Sequence, residues 1–360
     1  MKNDNYSVIV GTGCYIPTEK VFNSHFLKNE FYDSDGSQFE KSNDEIVNKL
    51  KEITGITERR YASDDLVTSD IAAYAARDAI DSSEIDPESL DYIVVAHNFG
   101  DVRADNKRSD FVPSLAARVK HKLGIKNPRT IAYDLPFGCP GWLQAVIQVN
   151  YFLKSGDAKR ALVIGSETLS RISDPHDRDS MIYADGAGAT IIETVPSDKP
   201  VGILSHAVRS DTIDHAYMLW MGKTYNSANN NSELYLKMNG HKLYTYAITT
   251  VPLVVKESLE KAGLSLDDVS MVLIHQANAK MDEVILRRIF KLYGKKDIPG
   301  DIMPMTIAEL GNTSVATLPT LLDKLYKNKL NGYQSKSGQI IVFASVGAGM
   351  NINSVVYRTP

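Results

Sequence analysis

Two stretches, one in each half of the chain, share one plan, and that repeat constrains the fold more than any other feature. "AYAARDAIDSSEIDPESLDYIVVAHN" (73–98) and "LVVKESLEKAGLSLDDVSMVLIHQAN" (253–278) each run from a helix through an acidic turn into an apolar strand that ends at a histidine. Each is followed by a small-residue turn entering a helix, "FGCPGWLQAVI" and "LGNTSVATLPTLL", and then by another apolar strand, "ALVIG" and "IIVFA". Such self-similarity means one supersecondary unit used twice. The expected division of the 360 residues is into halves 1–195 and 196–360, which together can bury a large core. Cys139 and Asn312 then hold equivalent places in the two copies, and His275 ends a strand in the second. A pseudo-twofold arrangement brings these loops to one centre.

The alternation of strand-like and helix-like runs predicts an α/β protein. "SVIVGTG", "LDYIVVAHN", "RALVIGSET", "GATIIE", "MVLIHQAN" and "QIIVFASVGAG" read as strands, while "SDIAAYAARDAID" and "TTVPLVVKESLEKAG" read as amphipathic helices. "NSANNNSEL" (226–234) is the most loop-like stretch, expected to cover a site or a subunit edge. A formal charge of −4 with no basic run points away from nucleic acid and from polyanion binding. No run approaches about eighteen consecutive apolar residues, so no membrane span is expected. The polar start "MKNDNYSVIVGTG" does not read as a signal peptide. With only Cys14 and Cys139 in the chain, free thiols in a reducing cytoplasm are expected.

Cys139 stands between Gly138 and the pair Pro140–Gly141 at the mouth of an apolar helix. Pro140 suits a first helical turn, which puts Cys139 at or near the N-cap. There the helix dipole and free backbone N–H groups favour a thiolate and lower its pKa. Cys139 is therefore the candidate nucleophile, whereas Cys14, inside a strand run, is expected to be an inert buried thiol. His275 taken alone would be a core histidine, and Asn312 taken alone a helix cap. Together with Cys139 they make a thiolate with two side chains able to hydrogen-bond a developing oxyanion. The glycines of "ADGAG" (184–188) are read as structural, packing near a dimer centre. No Cys/His cluster has metal-ligand spacing, so no metal is expected.

"DLPFGCPGW", "GSETLSRISDPHDRDSMIYADGAGATII", "IHQAN" and "GNTSVATLP" closely resemble the β-ketoacyl-acyl-carrier-protein synthase III family of the thiolase-like fold. The likeness runs from "VIVGTGCYIPTEK" to "GAGMNINSVVY". The resemblance implies a five-layered αβαβα core, a homodimer, and a catalytic triad of Cys139, His275 and Asn312. It implies that Cys139 takes an acyl group from a thioester, with the N–H groups of Cys139 and Gly347 as oxyanion hole. His275 and Asn312 would bind the carbonyl of a malonyl-type extender during decarboxylation. A neutral imidazole and an amide suit that step, because a carboxylic acid would quench the carbanion. No cofactor would be permanently bound; acyl-coenzyme A or acyl-carrier phosphopantetheine thioesters would be substrates. The family's docking of an acidic acyl carrier protein maps onto Lys280 and Arg287. Arg288 and Lys291 extend that basic face opposite the apolar stripe Met281, Ile285, Ile289 and Leu292.

Members that start from acetyl-coenzyme A carry a Trp and an Arg just before Thr-Gly-Ile, where this chain has "DEIVNKLKEITGI". Coenzyme A recognition is thus expected to be weak or made differently. The long loop 97–116 is expected to reshape the acyl pocket, as in a specialised dialkylresorcinol-type member using a longer or preformed β-ketoacyl thioester. Papain-like proteases share the order Cys, His, Asn, but the chain lacks their Gly-Ser-Cys-Trp context. Thiolases need a second late cysteine, which is missing. Two alternatives stay open: a hydroxymethylglutaryl-coenzyme A synthase-like enzyme, with Asp101 as its acid-base carboxylate, and a non-catalytic partner subunit.

Overall fold

The computed structural model describes residues 4–229 and 232–360, so positions 230 and 231 of the loop expected at 226–234 lie outside the described residues. The strands are β1 (Asp4–Tyr15), β2 (Glu19–Phe22), β3 (Glu58–Tyr61), β4 (Tyr92–His97), β5 (Ile131–Pro136), β6 (Arg160–Thr168) and β7 (Asp185–Ser197) in the first part of the chain. There follow β8 (Gly202–Ser210), β9 (Leu219–Gly222), β10 (Tyr235–Met238), β11 (Val269–Ile274), β12 (Ile340–Gly347) and β13 (Asn351–Arg358). The helices are α1 (Asn43–Thr54), α2 (Thr68–Ser83), α3 (Leu115–Leu123), α4 (Gly141–Ser155), α5 (Gly240–Lys261), α6 (Ala279–Leu292), α7 (Ile307–Leu310) and α8 (Thr317–Tyr326).

The two large sheets repeat one topology. The first has the order β1-β7-β6-β4-β5 and the second β8-β13-β12-β11. In each, the inner pair is parallel (β4 with β6, β11 with β12) and the next two pairings are antiparallel. On the free side of β11, where β5 stands in the first sheet, a single backbone bond runs from Val272 N–H to the Ile302 carbonyl, 2.8 Å.

Both faces of each sheet are buried, so the strands read as continuous apolar runs whose residues alternate between two cores. In β4 and β6, Ile93, Val95, Leu162 and Ile164 pack under α2 and α3. Val94 and Val163 turn instead to a central layer containing α4 and α8. From the second sheet, Leu273, Phe343 and Val355 enter the same central layer. Val272, Val342 and Val356 face α5 and α6. The result is the expected five-layered αβαβα arrangement. Among the described residues no helix is long and apolar enough to cross a membrane.

The central layer binds the two sheets into one body. Trp142, at the start of α4, packs edge-on against Phe343 of β12 with ring centroids 5.8 Å apart. The Ile9 N–H of β1 donates to the Tyr357 hydroxyl of β13, 3.0 Å. The small residues of "ADGAG" serve this contact: a β-carbon at Gly188 would stand 2.6 Å from the Thr320 nitrogen. The neighbour that needs this room is the chain's own α8. It lets the segment carrying Asn312 approach the first sheet.

Candidate active site

Cys139, His275 and Asn312 come from three distant segments and line one cavity of about 1370 Å³. His275 follows β11, and Cys139 follows β5, so both lie at the carboxyl ends of parallel strands. Open α/β sheets place their ligand sites there. Helix α4 begins at Gly141 with Pro140 in the cap position, leaving Cys139 one residue ahead of the cap. Asn312 is held by backbone on both sides: its N–H donates to the Ile182 carbonyl, 3.0 Å, and its own carbonyl accepts from Ala184 N–H, 2.9 Å.

Its side-chain orientation is also set. The Ser314 N–H donates to Asn312 Oδ1, 2.8 Å, which leaves the Nδ2 group to donate elsewhere. His275 is 2% exposed, and burial lowers it to about 4, so its imidazole is neutral across the physiological range. Its Nδ1 is buried without a hydrogen-bond partner among the described residues. Gly347 lies directly against the Cys139 nitrogen and β-carbon, and both residues line the cavity.

The Cys139 thiol departs from expectation. Burial pushes it up to about 11, and the Glu167 charge pushes the same way. A hydrogen bond from Ser314 Oγ, 3.4 Å, and the backbone oppose this. Desolvation is the largest of these effects, because a thiolate enclosed by protein loses its hydration. Cys139 still opens on the cavity. Cys14, in β1, lies outside that cavity, and burial and Asp323 hold its thiol well above the ordinary range.

Three residues near the sulfur escaped sequence reasoning. Ser314, Asn98 and Glu167 form a hydrogen-bonded run from Cys139 into β6. All lie within or beside stretches quoted above, but their types carry no signal until the fold brings them together. The acid-base carboxylate proposed at Asp101 is overturned. Asp101 is 3% exposed and does not line the cavity. It receives Ser69 N–H and Oγ–H, both at 2.7 Å, and pairs with Arg118 at 2.6 Å. Of the loop 97–116, only Asn98 and Phe99 reach the cavity.

"DEIVNKLKEIT" forms most of α1, capped by a Ser42–Glu45 capping box, and Ile46, Leu50 and Ile53 of that helix form one wall. Arg178, also lining the cavity, stacks on Phe39 with its guanidinium 5.0 Å from the ring centre. The hairpin β9–β10 adds Leu219, Trp220, Met221, Leu236 and Met238 to the lining. On α6, Lys280, Arg287, Arg288 and Lys291 are all exposed. Arg287 shares an ion pair with Glu283, 3.3 Å. Arg288 donates to the Ile248 carbonyl of α5, 3.1 Å, a bond that serves helix packing.

A duplicated five-layered fold with these groups at one cavity defines an acyl-transferring condensing enzyme. Residues 133–212 match the family model for 3-oxoacyl-[acyl-carrier-protein (ACP)] synthase III, and residues 259–359 match that for its C-terminal part. The 3-oxoacyl-[acyl-carrier-protein] synthase III of Aquifex aeolicus VF5 is 28% identical, with 98% of this chain and 99% of that chain covered and a TM-score of 0.78. The corresponding enzyme of Thermus thermophilus is 27% identical over the same shares, with a TM-score of 0.81. A priming β-ketosynthase from the R1128 polyketide biosynthetic pathway is 25% identical, covering 100% of this chain and 98% of that one, with a TM-score of 0.80. The chain belongs to the 3-oxoacyl-acyl-carrier-protein synthase III family.

Proposed function

We propose that the chain joins an acyl group held on Cys139 to a malonyl-carrier thioester by decarboxylative Claisen condensation, in fatty acid or specialised lipid biosynthesis, a β-ketoacyl-carrier thioester being the alternative acceptor in a condensation that releases no carbon dioxide. In the first half-reaction Cys139 Sγ attacks the donor thioester carbonyl. The donor's thiol leaves with the proton that Cys139 gives up, and the transient oxyanion receives the N–H groups of Cys139 and Gly347. In the second, His275 and Asn312 Nδ2 donate to the extender's thioester carbonyl while carbon dioxide leaves. The resulting carbanion attacks the acyl-Cys139 carbonyl and expels the thiolate. One observation carries the reading: Ser314 turns the Asn312 amide so that its NH2 is the free group, beside a neutral His275 and Cys139 in one cavity.

The cavity volume exceeds the few hundred to 1,000 Å³ usual for a small-ligand site. This favours a donor with a long chain together with its pantetheine arm. Either coenzyme A or a carrier protein could present that arm. Lys280, Arg287 and Lys291 are the surface cations offered to an acidic carrier. A homodimer is part of this reading, and the β5 edge, where Ile131 is 50% exposed, is open to a partner. Residues 1–195 and 196–360 are taken as the two halves. Their shared central layer argues against either folding alone.

Intact mass of the protein after exposure to a panel of acyl-coenzyme A and acyl-carrier thioesters tests the reading. A single acyl adduct that maps to Cys139 and is lost in Cys139→Ser is expected. Covalent uptake that survives in Cys139→Ser would sink it.

A further inference from the structure

We propose that Ser314, Asn98 and Glu167 form a one-way hydrogen-bond chain that makes the Cys139 sulfur an acceptor, Ser314 touching the reacting atom and Asn98 and Glu167 positioning it. The inference rests on Cys139 being the nucleophile. Its logic runs from the buried end outward. Glu167, in β6, is 1% exposed, and its carboxylate takes the Asn98 backbone N–H at 3.1 Å and the Asn98 Nδ2 group. Burial raises Glu167 to about 7, so above that pH it is an ionised carboxylate that only accepts, and the Asn98 amide then presents its NH2 to Glu167. That amide nitrogen also reaches Ser314 Oγ, 3.1 Å. The hydroxyl accepts there, and its single hydrogen is left for Cys139 Sγ at 3.4 Å. A donor aimed at the sulfur favours thiolate over thiol and opposes the effect of burial. No proton travels along the chain; each group keeps its own.

A second observation points to the same residue. Ser314 has φ +51°, a left-handed conformation strained for a residue with a β-carbon. The loop accepts that strain at the residue whose N–H orients Asn312 and whose hydroxyl orients Cys139. Ser314 thereby ties the geometry of both half-reactions to one backbone position. The titratable groups facing Glu167 are His97 and Asp185, of opposite effect on its charge, and Cys139 itself, whose thiolate the Glu167 charge disfavours, so the hydrogen-bond chain acts through the Ser314 hydroxyl and not through that charge. His97 Nε2 lies 3.1 Å from Asp134, and Asp185 is held by Ser170 N–H and Oγ–H at 2.8 and 2.6 Å.

The test is the pH profile of Cys139 alkylation by iodoacetamide, followed by intact mass in the full chain carrying Cys14→Ser. Ser314→Ala and Asn98→Ala should each move the inflection to higher pH and lower the rate at pH 8 by roughly tenfold or more, as befits a hydrogen bond to a charged group. Should Ser314→Ala fail to fold, Ser314→Gly removes the same hydroxyl while relieving the backbone, and should show the same shift. An unmoved inflection in folded Ser314 and Asn98 variants would overturn the proposal. Because alkylation needs no substrate, that failure is separable from a failure of Cys139 to take up acyl groups.

Discussion

Gly347 packs against Cys139 so tightly that a β-carbon on it would stand 2.6 Å from the Cys139 nitrogen and 2.8 Å from its β-carbon. Real side chains do not tolerate that approach, and the nearest obstructing atom is the Cys139 backbone nitrogen. Gly347→Ala should therefore displace the proposed oxyanion site and cut acylation of Cys139 by about a hundredfold or more, the usual scale for losing one such donor. Single-turnover acylation, with the melting temperature measured alongside, decides. Normal acylation in a folded Gly347→Ala protein would remove Gly347 from the mechanism.

The neutrality of His275 has a stability consequence with a definite sign. Its folded value is about 4 against an ordinary 6.5, so the unfolded chain takes up this proton first as pH falls. The contribution is fully present above about pH 6.5 and is lost toward pH 4. Glu167 and Asp185, raised by burial to about 7 and about 6, act in the opposite direction, so only a difference isolates the histidine. Urea unfolding of wild type and His275→Asn should show wild type losing about 2 kcal/mol relative to the variant between pH 7.5 and 5. A pH-independent difference would mean that His275 is not buried neutral.

Lys237, 1% exposed in β10, fastens the cavity-lining hairpin to the segment after β6. Its ammonium lies 2.5 Å from Asp174, 3.2 Å from Asp177 and 3.4 Å from the centre of the Tyr225 ring. Lys237→Met would leave two buried carboxylates uncompensated, at a cost of about 3–5 kcal/mol. The denaturant midpoint should fall accordingly, and Asp174→Asn in the same chain should recover part of the loss. An unchanged midpoint would show that water enters this cluster freely.

Lys280 and Arg287 are exposed on α6, the helix that begins four residues after His275. Replacing both by Glu should sharply lower kcat/KM for a carrier-bound substrate and abolish its salt sensitivity. Turnover of a small pantetheine thioester should be nearly unaffected. Equal loss on both substrates would assign the residues to the fold. Arg288→Ala, by contrast, removes a bond to α5 and should show in stability before it shows in docking.

The strands legible in the sequence were those buried on both faces, such as "YIVVAH" and "IIVFAS", because a continuous β-branched run needs no partner to be recognised. β5 was missed: "IAYDLP" is a half-exposed edge strand ending in proline, and its regularity comes from pairing with β4. The residue types at Cys139, His275 and Asn312, and the repeat that relates their loops, are properties of the chain written in order. Whether Cys139 is a thiol or a thiolate is not such a property. It depends on how much water the assembled protein removes from the sulfur, and here burial raises the thiol. Asp101 illustrates the same limit, since a carboxylate in a promising loop turned inward to Ser69 and Arg118. The chain Glu167–Asn98–Ser314–Cys139 joins four separate segments. Hydrogen-bond direction depends on distances of about 3 Å between groups far apart in sequence, and only the packing of two sheets around α4 and α8 sets those distances.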